Sequence, residues 1–121
     1  MKLGNIVLVL LMLSLALFSP ALAQEGEHCD HEAQTIESLR QCVDHAYAEG
    51  HITSAGLYRT LVSQLNAAQA AVDRGQTSVA AGILQAFIYT VETQAGRTFL
   101  EPHASHLLDH ANTVLAALSG Q

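Results

Sequence analysis

The chain has 121 residues, with 5 Lys and Arg against 11 Asp and Glu, 7 His and only 2 Cys. A formal charge of −6 with neutral histidine, and no basic stripe, argue against nucleic acid and anionic lipid as partners. One domain with one modest core is the size class that this length allows.

Lys2 gives the N-terminus a short positive region, and Ile6 to Phe18 is an apolar run broken only by Ser14. Ser19-Pro20 then breaks the helix, and Ala21-Leu22-Ala23 has the small-x-small pattern of a signal-peptidase site. The run is too short to span a bilayer, which takes about 20 residues. No Cys directly follows Ala23, which disfavours a lipid anchor. The expectation is a signal peptide over 1–23, cleaved after Ala23, and a secreted or periplasmic chain with no stable membrane anchor.

Residues 24–34 are polar and acidic without apolar periodicity, and predict an irregular arm carrying Cys and His. From Thr35 the spacing turns helical: Ile36, Leu39, Val43, Ala46 and Tyr47 fall on one face, and Gly50 can close the helix in a left-handed conformation. A second helix starts at Thr53 or Ser54, whose hydroxyls can cap free N–H groups. It carries Leu57, Leu61, Leu65, Ala68 and Val72 before Gly75. The third begins near Thr77 with Ala80, Ile83, Leu84, Phe87, Ile88, Val91 and Ala95, and stops at Gly96. The fourth opens at Glu101-Pro102, with Pro at the first helical position. Its stripe is Ala104, Leu107, Leu108, Ala111, Val114, Leu115 and Leu118, closed by Gly120.

Short connections make consecutive helices antiparallel neighbours. The fold class expected for 35–121 is therefore all-α, a small antiparallel four-helix bundle. Abundant alanine allows close helix contacts at some loss of buried apolar area.

The series Leu57…Leu61…Leu65-Asn66-Ala67-Ala68-Gln69…Asp73-x-Gly75, then Ala86-Phe87-Ile88-x-x-Val91 and Gly96, resembles the FIMAH domain. That family is a small all-helical module of secreted bacterial proteins, usually carried behind an enzyme. The resemblance spans about Leu39 to Leu118 and implies a non-catalytic role. The Cys- and His-bearing arm is no part of its pattern.

Export would place Cys29 and Cys42 in an oxidising compartment. Were 29–42 one helix, their Cα atoms would stand roughly 19 Å apart, whereas a bridge needs them within about 7 Å. A disulfide therefore requires the chain to turn back before a helix that starts near Thr35. The competing reading is a metal site, because His28, Cys29, Asp30 and His31 cluster while Cys42 and His45 lie at i, i+3.

On the fourth helix His103, His106 and His110 recur at i, i+3 and i+7. They form either a transition-metal row for zinc or copper, with Asp109 or Glu101 nearby, or an exposed polar flank. No serine sits in a strand-to-helix elbow and no glycine-rich loop follows a strand, so no catalytic constellation emerges. The function expected is a non-catalytic, exported accessory or interaction module that binds an envelope or extracellular protein or polymer. The alternative is a periplasmic or secreted transition-metal-binding protein.

Overall fold

The computed structural model describes residues 29–120. The expected signal peptide, the start of the arm with His28, and Gln121 lie outside the described residues. Four helices follow in order: α1 Ile36–Ala48, α2 Ala55–Asp73, α3 Thr77–Gln94 and α4 His103–Ser119. Among the described residues no helix is long and apolar enough to cross a membrane.

Helix α1 starts where Thr35, in extended backbone, accepts a hydrogen bond from Ser38 N at 3.1 Å. Ser54 does the same for α2 through Leu57 N at 3.1 Å. Each hydroxyl satisfies an N–H that has no partner within the helix. The stops are equally local. Gly75 sits at φ 74°, its N–H reaches Val72 O at 2.9 Å, and Gln76 N–H reaches Ala71 O at 2.8 Å. This pair of bonds satisfies late carbonyls of α2 and needs a left-handed residue between them. Gly50 closes α1 with the same pair, to Tyr47 O and Ala46 O.

One expected end differs. Pro102 occupies the N-cap and α4 begins one residue later, at His103, with Glu101 Oε2 accepting from Ser105 N and Oγ. A carboxylate there faces the positive end of the helix dipole. Gly120 closes α4 as expected, as its C-cap in right-handed backbone at φ −82°, with its N–H reaching Ala116 O at 3.1 Å.

Helix α1 packs on α2 and α4, and α3 packs on α2 and α4, so the ring of an antiparallel bundle closes. Leu39, Val43, Leu61, Leu65, Leu84, Phe87, Val91 and Val114 fill its axis. Ala68, Ala71, Ala80, Ala104 and Ala111 are also fully buried and let the helices approach closely. On α2 it is Ala71 that closes the stripe, while Val72 is only partly buried against the core.

One end of the bundle is clamped by its loops. Ile52, after α1, pairs with Phe99, after α3, through an isolated antiparallel bridge. Around it Thr53 N–H donates to Thr98 O at 2.8 Å, and Leu100 N–H donates to His51 O at 2.7 Å. Both Ile52 and Phe99 are buried as plugs, so the loops carry core residues that helical periodicity does not mark. The clamp also brings His51 up to the start of α4.

Candidate metal centre

The arm turns back on α1 as the disulfide geometry requires. Asp30 Oδ1 accepts from Glu32 N at 2.9 Å and Ala33 N at 3.3 Å, which reverses the chain just after Cys29. Cys29 and Cys42 form a disulfide, with Cα atoms 4.7 Å apart. Neither cysteine is free.

His110, from α4, lies under this bridge. It is 3 % exposed, so the polar flank expected on α4 is corrected here: the ring turns inward. Its Nε2 stands 2.8 Å from Ala33 O and 3.0 Å from Ser38 Oγ. A carbonyl only accepts, so Nε2 carries the proton and donates to Ala33. Ser38 Oγ can spend its own proton on Ala33 O or Thr35 O, at 2.8 and 2.7 Å. This tautomer leaves the Nδ1 lone pair facing Cys42 Sγ at 3.5 Å.

His31, on the arm, completes the group. Its Nε2 is 3.1 Å from Cys29 Sγ, and its ring meets the His110 ring edge-on at 5.5 Å. Ligand atoms of Cys29, His31 and Cys42 all lie within 4.8 Å of one another. Although His31 is an exposed residue, partial desolvation of its ring beside the disulfide holds the imidazole below its ordinary pKa, helped by repulsion from His110 and His106 and opposed by Asp30. A neutral imidazole is the form that binds metals.

The α4 histidines do not act as one row. His103 stacks face-on against His51 at 3.4 Å between ring centroids, and meets His106 edge-on at 6.3 Å. Burial, then His51, His106 and His45, lowers the His103 pKa. His106 is exposed and borders two hollows. One, of about 270 Å³, is lined by His31, His106, Asp109, His110 and Thr113. The other, of about 50 Å³, runs beneath the disulfide past His45 to His103.

The structure therefore gathers six histidines along the seam between α1 and α4, and splits them between the disulfide end and the loop clamp. Sequence spacing found the Cys42/His45 pair and the α4 row. It gave no sign of His51, which reaches α4 only through the tertiary clamp. His110 was found as part of the row, yet its partners, Ala33 and Ser38, lie far away in the chain.

No curated protein and no solved structure matches the chain. The FIMAH domain family model matches residues 36–116. That range takes in Cys42 and every α4 histidine, while Cys29 and His31 precede it. The match runs from the first residue of α1 into the last turn of α4 and covers the whole ring of helices, so the chain belongs to the FIMAH domain family.

Proposed function

We propose that this chain is an exported, non-catalytic accessory module whose bundle binds an envelope or extracellular protein or polymer. The signal-peptide pattern ending at Ala23 and the Cys29–Cys42 bridge support export, because disulfides persist in oxidising compartments.

The observation that carries the binding role is the outward face of the α2–α3 hairpin. These two helices, of 19 and 18 residues, carry only Arg59, Asp73 and Glu92 as charged residues. Soluble domains average about a quarter charged residues. Val79 and Ala86 stand exposed on this face, and Tyr89 is 67 % exposed. Depletion of charge around an exposed aromatic is the composition of binding surfaces. Gln64 Nε2, donating to Thr90 Oγ1 at 3.1 Å, ties the two helices together across it.

The test is affinity capture from envelope extracts and from extracellular polymer fractions, with the wild-type chain and Tyr89→Asp compared at equal loading. A species retained by the wild type and reduced at least several-fold by Tyr89→Asp is the expected result. Recovery of nothing above a blank matrix, or equal recovery by both proteins, overturns the reading.

Transition-metal binding is the second reading, favoured by one observation, the convergence of Cys29, His31 and Cys42. On this reading the N-terminal Cys/His cluster, with Cys42 of α1, supplies ligands in place of His103 and His106.

A further inference from the structure

We propose that Cys29, His31, Cys42 and His110 form a thiol-gated zinc site: closed while the disulfide stands, and a Cys2His2 sphere once it is reduced. This inference is independent of the α2–α3 binding face, which lies on other helices.

The first argument is geometric. With Zn–S near 2.3 Å and Zn–N near 2.0–2.1 Å, a sulfur and a nitrogen on one tetrahedral zinc stand about 3.5 Å apart. The two contacts observed are 3.1 Å for His31 Nε2 to Cys29 Sγ and 3.5 Å for His110 Nδ1 to Cys42 Sγ. Each sulfur already has one imidazole beside it, and the two sulfurs are adjacent. Reduction frees them to move apart to the spacing of two ligands. Cys29 lies in the non-helical arm, so its side chain can move without unwinding α1.

The second argument is a buried lone pair. A disulfide sulfur has no proton to give, so His110 Nδ1 faces Cys42 Sγ without a donor in the oxidised chain. Buried acceptors normally find a partner, and an unsatisfied one needs an explanation. A metal ion is such a partner. The other half of the ring is already arranged for it: metal-bound histidines commonly donate their second ring N–H to a backbone carbonyl, which fixes the tautomer. Ala33 O accepts that proton here, and Ser38 Oγ backs it. Ser38 is itself buried, so this support is part of the packed seam between α1 and α4.

The chemistry balances with a dithiol as reductant. Two electrons and two protons pass from the dithiol to the Cys29–Cys42 bond, which opens to two thiols while the dithiol closes to its own disulfide. Zinc then displaces both thiol protons to solvent and is held by two thiolates and two neutral imidazoles, a site of zero net charge. Reoxidation by a disulfide reverses the sequence and releases the metal. The chain would thus take up or surrender zinc according to the thiol–disulfide state around it.

The test titrates Co²⁺, then Zn²⁺, into the purified, untagged chain, once oxidised and once reduced by a phosphine under anaerobic conditions. The reduced chain should bind one Co²⁺ with thiolate-to-cobalt charge-transfer absorption, lose that absorption to Zn²⁺, and keep its helical circular dichroism. The oxidised chain should show no such absorption. His31→Ala, at an exposed arm position, should weaken binding about 100-fold, since even outer-shell changes cost 10–100-fold. Cys42→Ser should abolish the charge-transfer band.

The proposal is overturned if the reduced chain binds no cobalt, whether folded or unfolded. It is equally overturned if the oxidised chain binds as tightly, or if His31→Ala and Cys42→Ser leave affinity and spectrum unchanged.

Discussion

Cys29→Ala opens the only covalent crosslink among the described residues, and its cost can be bounded from the chain length that it closes. The bridge joins positions 13 apart. In the chain-entropy model a loop of this size restrains the unfolded ensemble by roughly 3 kcal/mol. That figure is a ceiling. The arm itself is largely exposed, and without the bridge the folded chain recovers part of the entropy if residues 29–34 fray. Against fraying stand the Asp30 turn and the half-buried bonds that Ala33 O accepts from Ser38 and His110. If these hold the arm, Cys29→Ala loses nearly the full amount. In a domain of this size that corresponds to a melting point lower by about 12–24 °C, at some 4–8 °C per kcal/mol. Urea titration with circular dichroism gives the free energy, and hydrogen exchange at the Glu32 and Ala33 amides reports whether the arm stays docked. A loss below about 0.5 kcal/mol with those amides still protected refutes the reasoning, because a docked arm leaves the entropic cost no place to be recovered.

Phe99→Ala removes a fully buried ring that plugs the loop clamp, and should cost about 3–5 kcal/mol by urea denaturation; a loss under about 1 kcal/mol would show that the clamp repacks around the gap. For pH, the folded-state pKa of His103 lies below its ordinary value through burial and its histidine neighbours, so the unfolded chain takes up the proton first as pH falls. Its contribution is complete above about pH 6.5 and declines as pH drops below that point. The pH slope of stability between neutral and mildly acid conditions should therefore be shallower in His103→Gln than in the wild type, and identical slopes refute the assignment.

The helices were legible because their signals are local. Thr35 and Ser54 cap where a hydroxyl precedes an apolar stripe, and Gly50, Gly75 and Gly96 stop where only a left-handed residue continues the chain. The disulfide was legible from the expected oxidising compartment, and it required the arm to turn back before α1, which the Asp30 turn does. The reach of periodicity ends at about one turn of resolution. It places His103, His106 and His110 on one side of α4, but the line between seam and solvent runs through that side, so His106 is exposed while His110 is buried. The partners that decide between them, Ser38 and Ala33, arrive only through tertiary packing. Ile52 and Phe99 escaped for a related reason, since a loop residue that plugs a core has no period to reveal it.

Where the chemistry sits follows from the order of the helices. Closing a ring of four antiparallel helices makes the first and last helix neighbours, and in this chain they are the helices that carry Cys42, His45 and the three α4 histidines. Their seam is also the one that the N-terminal arm can reach, because the arm leaves α1 directly beside it. His31 and Ala33 thus meet His110, nearly eighty residues away in sequence. Among the described residues no arm lies along the hairpin of α2 and α3, whose helices carry only Arg59, Asp73 and Glu92 as charged residues. The two faces therefore rest on different parts of the chain. The hairpin lies wholly within the family match, whereas the seam's cysteine–histidine group is completed by Cys29 and His31 of an arm that precedes it. A chain with the same bundle but without Cys29 and His31 would keep the neutral face and lose the thiol gate, so the two proposals can fail separately.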